Sequence, residues 1–132
     1  MIPSTIAGTI LVVDDCEVLC ELYEVLLCRM GYRVLTATTG AEALQVARTF
    51  PKIDLLISNV EMPEMLGDEL AMRLASQHPS VSVLFLSIFN DPIDTAEPFE
   101  FLTKPFTVDE LRNSVRRALR SRPALAENAC AA

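Results

Sequence analysis

Short apolar runs alternate with longer stretches of helical spacing along this chain. Thr9-Ile10-Leu11-Val12-Val13 has an almost unbroken apolar character, the pattern of a parallel strand buried on both faces. From Glu17 to Met30, apolar residues recur at Val18, Leu19, Leu22, Val25 and Leu26, which predicts a helix, and Gly31 supplies its stop. Arg33 to Ala37 reads as a second strand. Thr39 opens a helix that runs to about Phe50, with Pro51 as its stop. Asp54 to Ser58 reads as the third strand and Gly67 to Gln77 as the third helix, ended by His78-Pro79. Val81 to Leu86 is the fourth strand and Phe99 to Leu102 a short fifth. Thr107-Val108-Asp109-Glu110 has the form of a capping box, opening a last helix that reaches about Arg120. Between Leu86 and Phe101, Asp91-Pro92 can start a turn of helix, but Pro98 stops it, so the fourth helix is expected to be short or missing.

Repeated strand–helix units with short links predict an α/β fold, with a parallel sheet covered by helices on both faces. Ligands on such sheets bind beyond the carboxyl ends of the strands, where the strand order reverses. Asp15, Asn59, Ser87 and Lys104 each follow or end a predicted strand, so the fold should gather them at one edge. A length of 132 residues suits one domain with a proper core. The expected division is a folded unit over 1–122 and a flexible C-terminal tail over 123–132.

Hydrophobic residues make up 51% of the chain, which argues against wholesale disorder. The net charge of −7 disfavours direct nucleic-acid binding, and no apolar run is long enough to span a membrane. Ile6 to Val13 resembles the apolar region of a signal peptide, but no Lys or Arg precedes it and Asp14-Asp15 closes it, so it reads as a strand. Cys16, Cys20, Cys28 and Cys130 have neither zinc spacing nor a CxxC step, which points to reduced thiols in a cytoplasm. Cys20 and Cys28 are expected to pack on a helix face and Cys16 to be a packed thiol, with Cys130 in the tail. His78 reads as a helix-end residue. Arg112, Arg116, Arg117 and Arg120 make one side of the last helix basic; a solvated face is the first reading and docking of an acidic partner the second.

The candidate chemistry lies in the separated polar residues. Adjacent aspartates after a buried strand are costly unless they face water or hold a cation, and two carboxylates with a carbonyl and waters suit Mg²⁺. A lysine and a serine hydroxyl nearby can engage phosphoryl oxygens. Asp14-Asp15, Asn59 with Glu61-Met62-Pro63 and Gly67, Ser87, Phe101 and Lys104-Pro105-Phe106 together resemble a bacterial response-regulator receiver domain of the CheY-like kind. The resemblance runs from about Thr9 to Arg120 and implies a flavodoxin-like, doubly wound, five-stranded parallel sheet of order 2-1-3-4-5. It also implies roles. Asp14 and Asp15 would bind the metal, with the Glu61 backbone carbonyl as a further ligand. Ser87 would be the switch hydroxyl and Phe101 the switch aromatic. Lys104 would be the conserved lysine of the family, with Pro105 often cis after it.

Asn59 stands where that family has the aspartate that accepts the phosphoryl group. An amide does not perform that nucleophilic step. The implied role is therefore a receiver of a two-component or phosphorelay system, stand-alone or part of a larger protein, that takes no phosphate at Asn59 and binds Mg²⁺ weakly. It is regulatory, not an enzyme. Its implied partners are a histidine kinase or phosphotransfer protein and an output domain or protein, with room for a homodimer. Asn59 is then either native to a pseudo-receiver or an engineered replacement of aspartate. Ile88 departs from the small residue usual after the switch hydroxyl and is expected to crowd the site. Ser58 is a poor substitute acceptor, because it points to the opposite strand face from Asn59. The alternatives are a haloacid-dehalogenase-like phosphohydrolase with Asp14 as nucleophile, in which Cys16 replaces the second acid, and an interaction domain without a ligand.

Overall fold

The computed structural model describes residues 7–88 and 99–120. The elements run β1 (Thr9–Val13), α1 (Glu17–Arg29), β2 (Arg33–Ala37), α2 (Gly40–Thr49), β3 (Leu55–Asn59), α3 (Gly67–Gln77), β4 (Ser82–Ile88), β5 (Glu100–Lys104) and α4 (Val108–Arg120). The expected short or missing helix between β4 and β5 and the tail over 123–132, including Cys130, lie outside the described residues.

All strand pairs are parallel, and the order across the sheet is β2-β1-β3-β4-β5. The sheet carries one apolar core on each face. Leu11, Val13, Leu56 and Phe85 meet α2 and α3 on one side. Ile10, Val12, Leu55, Ile57, Leu84 and Leu86 meet α1 and α4 on the other. The chain reverses its direction of winding between β1 and β3, the adjacent central strands, and that is where such sheets open a crevice.

Helix ends follow the sequence signals. Gly31 adopts φ +101°, and its N–H donates to the Cys28 carbonyl at 3.0 Å while that of Tyr32 reaches Leu27 O at 3.2 Å. Thr39 Oγ1 accepts from the Glu42 N–H at 3.0 Å. The capping box of α4 closes in both directions, Glu110 N–H to Thr107 Oγ1 at 3.0 Å and Thr107 N–H to Glu110 Oε1 at 2.8 Å. His78 ends α3 and is buried, with Nε2 2.8 Å from the Ala47 carbonyl, so it ties α3 to α2.

Some details differ from the sequence reading: β3 spans Leu55–Asn59 where Asp54 to Ser58 is expected, and β5 spans Glu100–Lys104 where Phe99 to Leu102 is expected. β4 runs on to Ile88 because Leu86, Ser87 and Ile88 pair with Leu102, Thr103 and Lys104 of β5, a long-range partnership no local pattern reveals. In α1 the residues that face the sheet are Cys20, Tyr23 and Leu27, so Cys28, one residue round from Leu27, is exposed. Cys16 is exposed too, as the residue that precedes α1. Burial pushes the Cys20 thiol up to about 11 and the Tyr23 hydroxyl up to about 12, so both stay protonated at neutral pH.

Candidate functional site

The carboxyl ends of the strands form an open cleft of about 310 Å³. Asp14, Asp15, Asn59, Glu61 and Lys104 line it, together with Leu19, Leu86 and Ile88. Residues far apart in sequence thus meet as the strand pattern requires. Asn59 is the last residue of β3, in register with Leu86, and Lys104 is the last of β5, in register with Ile88.

Asp14 is 1% exposed, and both of its carboxylate oxygens are engaged. Oδ1 accepts the Cys16 N–H at 2.9 Å, and Oδ2 accepts Lys104 Nζ at 2.9 Å. The pair is largely desolvated, since the Lys104 side chain is only 19% exposed. Asp15 is exposed, and its Oδ1 accepts a long hydrogen bond from Asn59 Nδ2 at 3.3 Å. The other end of that amide, Oδ1, is buried without a hydrogen-bond partner. Each aspartate therefore faces an internal donor, an ammonium for Asp14 and an amide for Asp15. Among the described residues, no three His, Cys, Asp or Glu side chains form a group able to hold a metal ion.

Ser87 and Phe101 do not line this cleft. Strand alternation turns Ser87 to the side of Phe85, and Ser87 is buried at 3% exposure. Phe101 packs on Phe85 with ring centroids 5.5 Å apart, in the core shared with α2 and α3. Ile88 does line the cleft, as the sequence suggested, and is 61% exposed. Ser58 is fully buried on the opposite strand face and donates to the Asn59 carbonyl at 2.9 Å. The Lys104-Pro105 peptide is cis. Asp14 lies buried against Lys104, and nothing at the cleft favours the phosphohydrolase alternative.

The loop from β3 to α3 builds the near wall of the cleft. Gly67 N–H donates to the Val60 carbonyl at 2.8 Å, folding the loop back onto the end of β3. Glu64 sits within this loop at φ +73°, a left-handed conformation that costs a non-glycine residue roughly 1–2 kcal/mol. Nothing in the sequence marked this strain. Glu64→Gly should therefore raise stability by up to about 1 kcal/mol, the relief exceeding the added chain entropy. A melting temperature unchanged or lowered in the variant would contradict it.

The family model for the response regulator receiver domain matches residues 10–116, which carry all of the cleft residues. The chain belongs to this family. Among curated relatives, the receiver is 33% identical over 117 residues to the probable transcriptional regulatory protein TcrX of Mycobacterium tuberculosis, covering 85% of the chain and 50% of that protein. It is 36% identical over 116 residues to the alkaline phosphatase synthesis transcriptional regulatory protein PhoP of Bacillus subtilis, covering 84% of the chain and 48% of that protein. The receiver spans about half the length of each of these two relatives. Among solved structures, chemotaxis protein CheY4 of Vibrio cholerae matches with a TM-score of 0.74 and 30% identity, over 84% of this chain and 98% of that one. The receiver domain of the hybrid histidine kinase CckA matches with a TM-score of 0.73 and 32% identity, over 86% and 100%. Receivers of this family are regulatory domains of two-component systems, and no helix among the described residues is long and apolar enough to cross a membrane.

Proposed function

We propose that this receiver, comprising residues 1–122, acts in the cytoplasm through protein contacts and takes no phosphoryl group at residue 59. One observation carries the reading: at the acceptor position the amide of Asn59 donates to Asp15 and buries its oxygen without a partner. Phosphoryl acceptance needs an anionic oxygen that attacks phosphorus and holds it as an acyl phosphate. The amide oxygen of Asn59 is neutral and its nitrogen carries no available lone pair. Its partners are then a histidine kinase or phosphotransfer protein upstream and an output domain or protein downstream.

Receivers generally bind Mg²⁺ at the acceptor site. The donors here fit such an ion, with reduced charge. Asp14, Asp15, the Asn59 amide oxygen and the Glu61 backbone carbonyl would hold it, and the orphaned Asn59 Oδ1 is the donor with nothing else to do. When bound, the ion would neutralise charge on the acidic pair. In this role Lys104 would hold a phosphoryl oxygen in an active receiver, but here it lies on Asp14. The amide of Asn59 takes over part of the cation's task by turning its positive end to Asp15.

Asn59→Asp should therefore weaken the metal-free fold and strengthen Mg²⁺ binding. A carboxylate oxygen at the 3.3 Å separation of the present hydrogen bond would repel Asp15. The Coulomb term is roughly 5 kcal/mol at an effective dielectric near 20, before the side chains move apart or water screens them. After relaxation, about 1–2 kcal/mol of metal-free stability should be lost. Saturating Mg²⁺ should then raise the melting temperature of the variant by about 5 °C or more and leave the parent nearly unmoved. Equal shifts in the two proteins would overturn this account of the amide.

A further inference from the structure

We propose that the cleft at the carboxyl ends of the strands binds a small primary alkylammonium ion, a ligand with one charge, several N–H donors and an apolar body. This rests on the reading of residue 59 as a permanent amide and names what that amide leaves the cleft able to hold. Asp14 is already neutralised by Lys104, with Nζ at 2.9 Å and both side chains largely withdrawn from water. Asp15 is then the uncompensated carboxylate beside Asn59, exposed and held by a long 3.3 Å bond from a neutral amide. Glu61 lines the cleft but is exposed, so solvent and salt screen its charge. A divalent metal ion is best served by several hard, charged oxygens. One uncompensated carboxylate and one amide match a single positive charge.

Hydrogen bonding narrows the class further. Asn59 Oδ1 is buried without a donor, and the Asp15 carboxylate can accept more than its one long bond. Both groups call for N–H donors, and a primary ammonium carries three. A quaternary ammonium has the charge but no donor. The wall of the cleft favours an organic body on that charge. Leu19, Leu86 and Ile88 line it, and Ile88 is 61% exposed. A hydrated metal ion gains nothing from these side chains, whereas an alkyl chain laid on them removes apolar surface from water. The volume of about 310 Å³ suits a small ligand. Anionic ligands are disfavoured, because the one cation lining the cleft, Lys104, is already held by Asp14. Ile88, which would crowd a phosphoryl group, thus becomes the surface on which the alkyl chain rests.

The test titrates the full chain, labelled with nitrogen-15, with n-butylammonium chloride and follows the backbone amide shifts by NMR. The shifts should saturate with a dissociation constant on the order of 1–10 mM and centre on Asp15, Asn59, Val60 and Ile88. Sodium chloride at matched ionic strength is the blank. Tetramethylammonium should bind at least about fivefold more weakly than butylammonium. Asp15→Asn should weaken butylammonium by about tenfold, and Ile88→Ser by about threefold, with well-dispersed spectra showing both folds intact. The proposal is overturned if no saturable shifts appear, if tetramethylammonium binds as tightly, or if either folded variant keeps the parent's affinity. Phosphorylation of the parent would instead contradict the reading of residue 59, so the two failures are told apart by different measurements.

Discussion

Gly67→Ala should cost about 3 kcal/mol of folding stability, a large share of the roughly 5–15 kcal/mol that holds a typical domain together. A Cβ at this position would fall on the Asn59 carbonyl oxygen, and would stand 3.1 Å from Phe85 Cε1 and 3.2 Å from the Val60 carbonyl. The first of these is backbone at the end of β3, fixed by the pairing of Asn59 with Leu86, so no rotamer change relieves the overlap. The loop would have to lift off the strand, breaking the Gly67 N–H to Val60 bond and moving the wall of the cleft. Gly31→Ala provides the contrast. A Cβ there meets nothing within 4 Å, and only the φ of +101° opposes it. Its cost should be near 1 kcal/mol. Chemical denaturation of both variants checks the ranking, and a smaller loss for Gly67→Ala than for Gly31→Ala would contradict the packing argument.

Lys104→Met should also cost about 3 kcal/mol. The change leaves Asp14, at 1% exposure, with a single donor in the Cys16 N–H. Methionine keeps much of the lysine's apolar stem, so the loss reports the missing ammonium and not the packing. The double variant Asp14→Asn with Lys104→Met should recover part of the stability, because no buried charge is then left alone. Losses that simply add would show that the two groups do not interact, against the 2.9 Å separation.

The sequence revealed most of the frame through local signals. The unbroken apolar run of β1, the glycine after α1 and the capping box of α4 each state their structure within a few residues. The meeting of Asp14, Asp15, Asn59 and Lys104 was legible for a different reason. A parallel sheet puts the carboxyl ends of its strands on one edge, so strand-end residues converge whatever their distance along the chain. Other features depend on tertiary geometry. The apolar residues that announced α1 as a helix include Val18, Leu22 and Val25, yet these are the exposed ones. The sheet selects Cys20, Tyr23 and Leu27 instead. Spacing shows that a helix exists, but which stripe faces inward depends on what lies opposite. Ser87 became the interior of a longer β4 through its pairing with Thr103, and the left-handed Glu64 follows from the fold-back of its loop. The partner of Lys104 was equally hidden, since a lysine at a strand end could have met any of the cleft's oxygens.

The central claim is that the end of β3 offers phosphorus no nucleophile. Intact mass spectrometry of the parent and of Asn59→Asp, each incubated with acetyl phosphate and Mg²⁺, addresses it directly. The account predicts one added phosphoryl group on the variant and none on the parent. Phosphorylation of the parent, at Ser58, Asp15 or any other residue, would contradict it, as would an aspartate variant that folds, binds Mg²⁺ and stays unmodified.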